Sequence, residues 1–307
     1  MVRKLIVGYI KKFLPNRWFN ILLVKPRLKF VDIHTAKYVD WVWGEVAQGV
    51  NSRGNIESYL RKQAHILEKG LQIPDREPGH SKGQYELVKN LLSKSQCQET
   101  NSWANEIITL YERVQKNEDI SDAIYEDSPK AIINYDVFSQ FSKSRRSIRF
   151  FKNEKISNEV LSDIAELINW APNSCNRQNT KIYATQDNEK IKRCMLLNGG
   201  ATCMNIPSHF ICITSDTRSY MLPVERDAAY IDASLAAHNF ILGLHSYGIG
   251  SCVLNWTHAS KEQNLILKNE LDIPNNEVVI FNMVIGYPDR YIKPSSKKSS
   301  AESIFFK

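Results

Sequence analysis

The chain has 307 residues, 43% of them hydrophobic, enough to bury one large core or two ordinary ones and too many for a disordered polymer. Its 40 Lys+Arg against 33 Asp+Glu leave a net charge of +7, which suits an anionic ligand, nucleic acid or a lipid surface without choosing among them. Six cysteines (Cys97, Cys175, Cys194, Cys203, Cys212, Cys252) are thinly spread, with no CxxC pair and no secretory leader. That spacing argues against a disulfide framework or zinc site and for a reducing cytoplasm.

The N-terminal apolar runs "LIVGYI" and "FNILLV" are too short to span a bilayer. The first thirty residues nevertheless carry Arg3, Lys4, Lys11, Lys12, Arg17, Lys25, Arg27 and Lys29 with no acidic residue. Leu5, Ile6, Tyr9, Ile10, Phe13 and Leu14 fall between them at helical spacing. Two readings fit: a terminal helix packing its stripe on the protein's own core, the commoner use of such a stripe, or a basic helix in peripheral contact with an anionic membrane. The aromatics of "YVDWVWGEV" sit at core spacing on a helix, so base stacking is not invoked and no nucleic-acid partner is expected.

"IESYLRKQAHILEKGL" and "NSWANEIITLYERVQ" place apolar residues three and four apart and predict helices, with "PDREPGHSKG" as a loop between them. The polar stretch "NEDISDAIYEDSPK" marks a linker, and we divide the chain into a mainly helical region, 1–137, and a domain, 138–307. In the second part Ser157 is an N-cap for a helix carrying Val160, Leu161, Ile164, Leu167 and Ile168 on one face, stopped by Pro172. "KIYAT", "HFICIT", "SCVL" and "EVVIFNMVIGYP" read as strands. "ERDAAYIDASLAAHNFILGLHSYG" is a long buried helix closed by Gly248, and Ser260 with Gln263 forms a capping box for another. The texture is α+β, one sheet with helices on it.

Two segments carry candidate chemistry. "RRSIRFF" has three explanations: a solvated surface, a phosphate or nucleic-acid patch, or a cradle for a flat anionic cofactor. In an extended segment Arg145, Ser147 and Arg149 point one way while Ile148 faces the core, and guanidinium never loses its charge. "WAPNSCNRQNTKIY" offers Ser174, Asn176 and Gln178 on alternate positions, amides and a hydroxyl that suit the mixed edge of a flavin ring, or simply a polar turn.

Together, in order and spacing, the segments resemble the FMN-dependent nitroreductase family, which opens on RxSxR/K and an aromatic and continues one helix later with APSxxNxQ. Arg145, Ser147, Arg149 and Phe151 match the first; Ala171, Pro172, Asn176 and Gln178 match the second, with Ser174 one position beyond the motif's serine. The helix with Asp227, Asp232 and Asn239, the turn "GLHSYGIGSC" and the late "IGYP" extend the resemblance over about residues 138 to 307. It implies an α+β nitroreductase-like fold, a central mainly antiparallel sheet flanked by helices, preceded here by the helical region.

The resemblance further implies FMN as cofactor, NAD(P)H as donor, a small organic acceptor and a homodimer with FMN at the subunit interface. Arg145 and Ser147 are then expected at the phosphate or ribityl oxygens, Arg149 at the pyrimidine edge, and Ser174, Asn176 and Gln178 at the ring. Backbone N–H groups of Cys252, Val253 and Leu254 are expected to face N5, and Lys293, Lys297 or Lys298 to reach the phosphate. Asn179 and Thr180 depart from the family's Pro and Trp after NxQ, and a lysine replaces its C-terminal arginine.

In the helical region "HILEKGLQIPDREPGHSKG" is similar to a motif of a nitroreductase subgroup associated with surface-polysaccharide gene clusters, whose loop reads RxGFG. His65 and Glu68 share a helical face there, either as a hydrogen-bonded histidine and exposed charges or, with Lys69 and Arg76, projecting into the site. "YGIGSC" lacks the third glycine of a dinucleotide fingerprint, and Cys175 is expected to be a small buried side chain. His209, His238 and His258 lack ligand spacing and are expected in core or cap roles. The alternative to an enzyme is a flavin-binding or flavinless scaffold at a membrane assembly.

Overall fold

The computed structural model describes residues 55–74, 77–126, 132–220, 225 and 227–307. The basic N-terminal segment, "YVDWVWGEV" and Arg76 lie outside these residues.

Three helices open the described chain: α1 (Ile56–Leu71), α2 (Lys82–Leu92) and α3 (Gln98–Gln115). The predicted periodicity is what packs them, since Leu60, Ala64, Leu67 and Leu71 on α1 meet Val88 and Leu91 on α2 and Ala104, Ile107, Tyr111 and Val114 on α3 in one apolar core. Tyr85 stacks on Tyr111 at the rim with ring centroids 4.6 Å apart.

Next come α4 (Tyr135–Ser144) and α5 (Asn158–Glu166). Ser157 caps α5 by accepting from the Val160 N–H. The helix tightens into a 3-10 turn over Leu167–Trp170 before Pro172. The sheet then forms from β1 (Thr180–Thr185), β2 (His209–Asp216), β3 (Gly250–Leu254) and β4 (Glu277–Gly286) in the order β1-β2-β4-β3, every pairing antiparallel. Three further helices, α6 (Asn188–Leu196), α7 (Ala228–Ser246) and α8 (Lys261–Glu270), complete it.

Helices cover both faces of the sheet, which is why its central strands read as continuous apolar runs. On β2, Phe210 and Cys212 face the core that includes Ile191, Trp256 and Leu267, whereas Ile211 and Ile213 face the core that includes Ile164, Ala237 and Phe240. The alternation is the two-residue period of a strand.

α7 ends as its sequence foretells. Gly248, at φ +70°, takes the left-handed conformation, its N–H donates to the His245 carbonyl, and the Ile249 N–H donates to the Leu244 carbonyl. This pair of bonds satisfies carbonyls the helix leaves open. Ser260 and Gln263 close the expected capping box on α8.

Candidate functional site

At the end of α4, Arg145 leaves the helix in an extended conformation. Arg146 turns back, its Nη1 donating to the carbonyls of Lys143 at 2.5 Å and Arg145 at 2.7 Å, where a helix end has unsatisfied acceptors and a partial negative charge. One of the three arginines is thereby spent on its own helix.

Beyond it, Ser147 bridges Ser251 in parallel and the Ile148 N–H donates to the Ser251 carbonyl at 2.9 Å. At the far end Phe151 bridges Pro288. The segment is thus pinned at both ends beside β3 and β4. Strict alternation does not hold: the buried residues are Ile148 and Phe151, three apart, and Phe150 is exposed beneath the Arg290 guanidinium, 5.3 Å from its ring centre.

Two glycines make room for the segment. Gly250 and Gly286 are register partners on β3 and β4. A Cβ on Gly250 would stand 2.5 Å from Ile148 Cγ1, and one on Gly286 would stand 2.9 Å from Phe151 Cδ1. A cleft opens there between Arg145, His245, Gly248, Ser251, Pro288 and Tyr291.

Burial pushes the Cys252 thiol above its usual pKa, and Arg149 and then Arg145 oppose that shift. In a strand, the N–H and C=O of a residue point to the same side. Since the Ser251 carbonyl serves the open edge, the Val253 peptide does too, while Cys252 and Leu254 direct theirs at β4. Of the three backbone donors expected from sequence, strand geometry leaves Val253 free to face a ligand. Lys293, Lys297 and Lys298 lie in an exposed tail and make no ion pair among the described residues.

The second segment is a turn, the second of the two readings its sequence allowed. Ser174–Asn176 is a 3-10 turn, and Cys175, Asn176 and Gln178 all have φ between 52° and 56°. Side-chain-bearing residues visit that region at a cost, so the surroundings must hold them there. Ser174 donates through its N–H (3.0 Å) and its Oγ (2.9 Å) to the buried Asp232 of α7, which also accepts from Tyr220 Oη at 2.7 Å. Asn173 Oδ1 accepts from the Gln178 N–H at 3.1 Å, and Gln178 Nε2 donates to Asn176 Oδ1 at 2.8 Å. Arg177 is buried over the Tyr220 ring. Arg61 of α1 donates from Nε to the Asn176 carbonyl at 2.9 Å.

Ser174 is thus occupied as an anchor, and Cys175 is half-buried rather than buried. Sequence reasoning missed Arg61, Arg177 and Tyr220; only the apolar texture around Asp232 hinted that a buried carboxylate would find partners on another element. Asn179 and Thr180, which replace the Pro and Trp of the resemblance, are absorbed by the sheet: Asn179 is buried and Thr180 begins β1 opposite Ser215.

The two segments do not meet within one chain. The turn precedes β1, and the arginine segment borders β3, on opposite edges of the sheet. Three strand spacings separate the edges, about 14 Å, and the register separates Ser215, opposite Val278, from Ser251, opposite Ile285, by about 20 Å along the strands. Of the other candidates, His65 is hydrogen-bonded, its Nδ1 lying 2.8 Å from Glu68 Oε2. His209 is a core residue, His258 bonds Asn255 Nδ2 at 2.8 Å, and His238 is exposed on α7 rather than in a core or cap. Among the described residues no cluster of three His, Cys, Asp or Glu is arranged for a metal, and no helix is long and apolar enough to cross a membrane.

Comparison with known proteins bears on the fold that carries these residues. Residues 142–198 and 199–287 match the nitroreductase family profile. A protein of Archaeoglobus fulgidus named as an NADH dehydrogenase/NAD(P)H nitroreductase is 29% identical over 145 residues, 47% of this chain and 82% of that protein. An FMN reductase (NAD(P)H) of Bacillus subtilis is 24% identical over 48% of this chain and 65% of its own length, just under two thirds. The crystal structure of a nitroreductase-like protein from Streptococcus mutans superposes with a TM-score of 0.50 at 18% identity, covering 56% of this chain and 98% of that one, a likeness of fold alone. The stretch from 142 to 287 thus matches the nitroreductase family profile and holds the antiparallel sheet whose edge carries Arg145, Ser147 and Arg149.

Proposed function

We propose that the protein is an FMN-dependent oxidoreductase that moves reducing equivalents from NAD(P)H to a small organic acceptor. The observation that carries this is the cleft at the edge of β3, lined by Arg145, His245, Ser251 and Tyr291, against which the segment carrying Arg145, Ser147 and Arg149 is pinned. A fixed positive field beside an edge N–H fits a phosphorylated, electron-accepting ring system better than a neutral ligand. FMN, when bound, supplies the two-electron chemistry. The chain's part is to hold the group at β3, to place guanidinium charge where reduction accumulates negative charge, and to exclude water with Ile148 and Phe151 packed beneath.

The edge-to-edge separation of the two motifs supports a homodimer, in which the turn with Asn176 and Gln178 reaches the cofactor held by the partner's arginine segment. The exposed stripe of Ile231 and Leu235 on α7 fits such an interface, because an apolar helix face of this kind needs cover. We take residues 138–307 as the flavin-binding domain and 1–137 as a helical region. The likeness of "REPGHSKG" to the subgroup motif favours an acceptor from surface-polysaccharide biosynthesis in a cytoplasmic protein, and the basic N-terminus is read as a helix on the protein's own core, with peripheral membrane contact as its alternative.

Purification followed by a visible spectrum, then anaerobic NADH or NADPH, tests the reading. A yellow protein that bleaches is expected, whereas a colourless one that ignores added FMN overturns it in favour of a scaffold. Arg145→Ala with Arg149→Ala is expected to abolish flavin retention while far-UV circular dichroism stays unchanged.

A further inference from the structure

We infer that Arg61, in the helical region and outside both sequence motifs, is a positioning residue that holds the Asn176–Gln178 turn in shape for the flavin. The inference rests on the functional reading above for its flavin consequence, but the contact itself stands on geometry.

Arg61 Nε donates to the Asn176 carbonyl across 115 positions of sequence, at 2.9 Å. Its Nη1 donates to Thr100 Oγ1 at 3.3 Å, and its guanidinium lies 5.0 Å from the centre of the Trp103 ring. Burial lowers the Arg61 pKa, with Cys97 and then Glu68 opposing, so a charged group has been drawn out of water at this point. Such a group is stable there only if its donors are met, and one of the acceptors is the backbone of the turn.

The turn needs that help. Cys175, Asn176 and Gln178 are all left-handed with side chains, and the Asp232 anchor grips the turn at Ser174, its first residue. The Gln178 side chain in turn sits on Asn176 Oδ1. Arg61 holds the carbonyl between them, so α1 sets the peptide plane from which the Asn176 and Gln178 amides project. The three-helix layer then becomes part of the cofactor site, and Thr100 and Trp103 on α3 fix the rotamer of the arginine.

The test measures Arg61→Ala and Arg61→Lys in the full-length protein with two readouts. The first, independent of flavin, is the rate at which Cys175 of the apoprotein is alkylated by a maleimide, mapped by peptide mass spectrometry with the exposed Cys203 as internal reference. The second is the FMN dissociation constant by fluorescence. We expect Arg61→Ala to speed Cys175 labelling and weaken FMN binding, each by about 10- to 100-fold, with Cys203 unaffected and Arg61→Lys restoring part of both.

Unchanged Cys175 labelling would overturn the positioning role, and so would faster labelling with FMN held at the parental affinity. A parent that binds no FMN would overturn the functional reading and the flavin half of this inference, while the labelling still decides whether Arg61 holds the turn. If Arg61→Ala does not fold, Trp103→Leu, which removes the ring beneath the guanidinium, is expected to move both readouts in the same direction.

Discussion

His209 lies on β2 with 2% of its surface exposed, its Nδ1 3.0 Å from Ser208 Oγ. Burial, with the Lys155 charge adding to it, lowers its pKa from 6.5 to about 4. Between those values the unfolded chain binds a proton that the folded chain refuses. Stability is therefore complete above pH 6.5 and falls as pH drops toward 4, by at most about 3 kcal/mol. Urea melts at a series of pH values should show that slope in the parent and a flatter one in His209→Gln. An equal slope in both would mean that other groups govern the acid limb. Asp232, also buried, meets two groups of Ser174 and one of Tyr220 and so fastens the turn to α7.

At the scale of elements, the arginine segment keeps its place because β3 and β4 give up side chains beneath it. Gly250 is needed there for space, since the atoms a Cβ would strike are Cγ1 and Cβ of Ile148, close to the backbone and unable to swing away. Gly250→Ala is expected to cost about 1–3 kcal/mol by overpacking and to lift residues 147–149 off the edge. Denaturant unfolding measures the first effect and weaker FMN retention the second. A variant as stable as the parent with full flavin would show that the segment shifts without penalty.

For the whole molecule, the separation of the two motifs across the sheet makes the assembly decisive. Leu235→Glu places a charge beside Ile231 on the exposed stripe of α7. Light scattering is expected to show a monomer in place of a dimer, and the monomer should lose FMN although Arg145 and Arg149 are untouched. A dimer of unchanged mass, or a monomer that keeps its flavin, would place the interface elsewhere.

Local chemistry was legible in the sequence. The helical periods of α1 and α3, the Ser157 and Ser260 caps, the Gly248 terminus and the apolar runs of β2 and β4 depend on neighbours within a few residues, and each formed where its pattern lay. Which side chains share a site depends on strand order and register, and no short-range rule encodes those. Hence the arginine segment was found with Ile148 inward, the second segment was left open between a ring edge and a polar turn, and their placement on opposite edges came only with the sheet order β1-β2-β4-β3. Arg61 shows the same limit: a helical arginine acquires a partner 115 positions away only when two cores have packed and brought α1 against the turn.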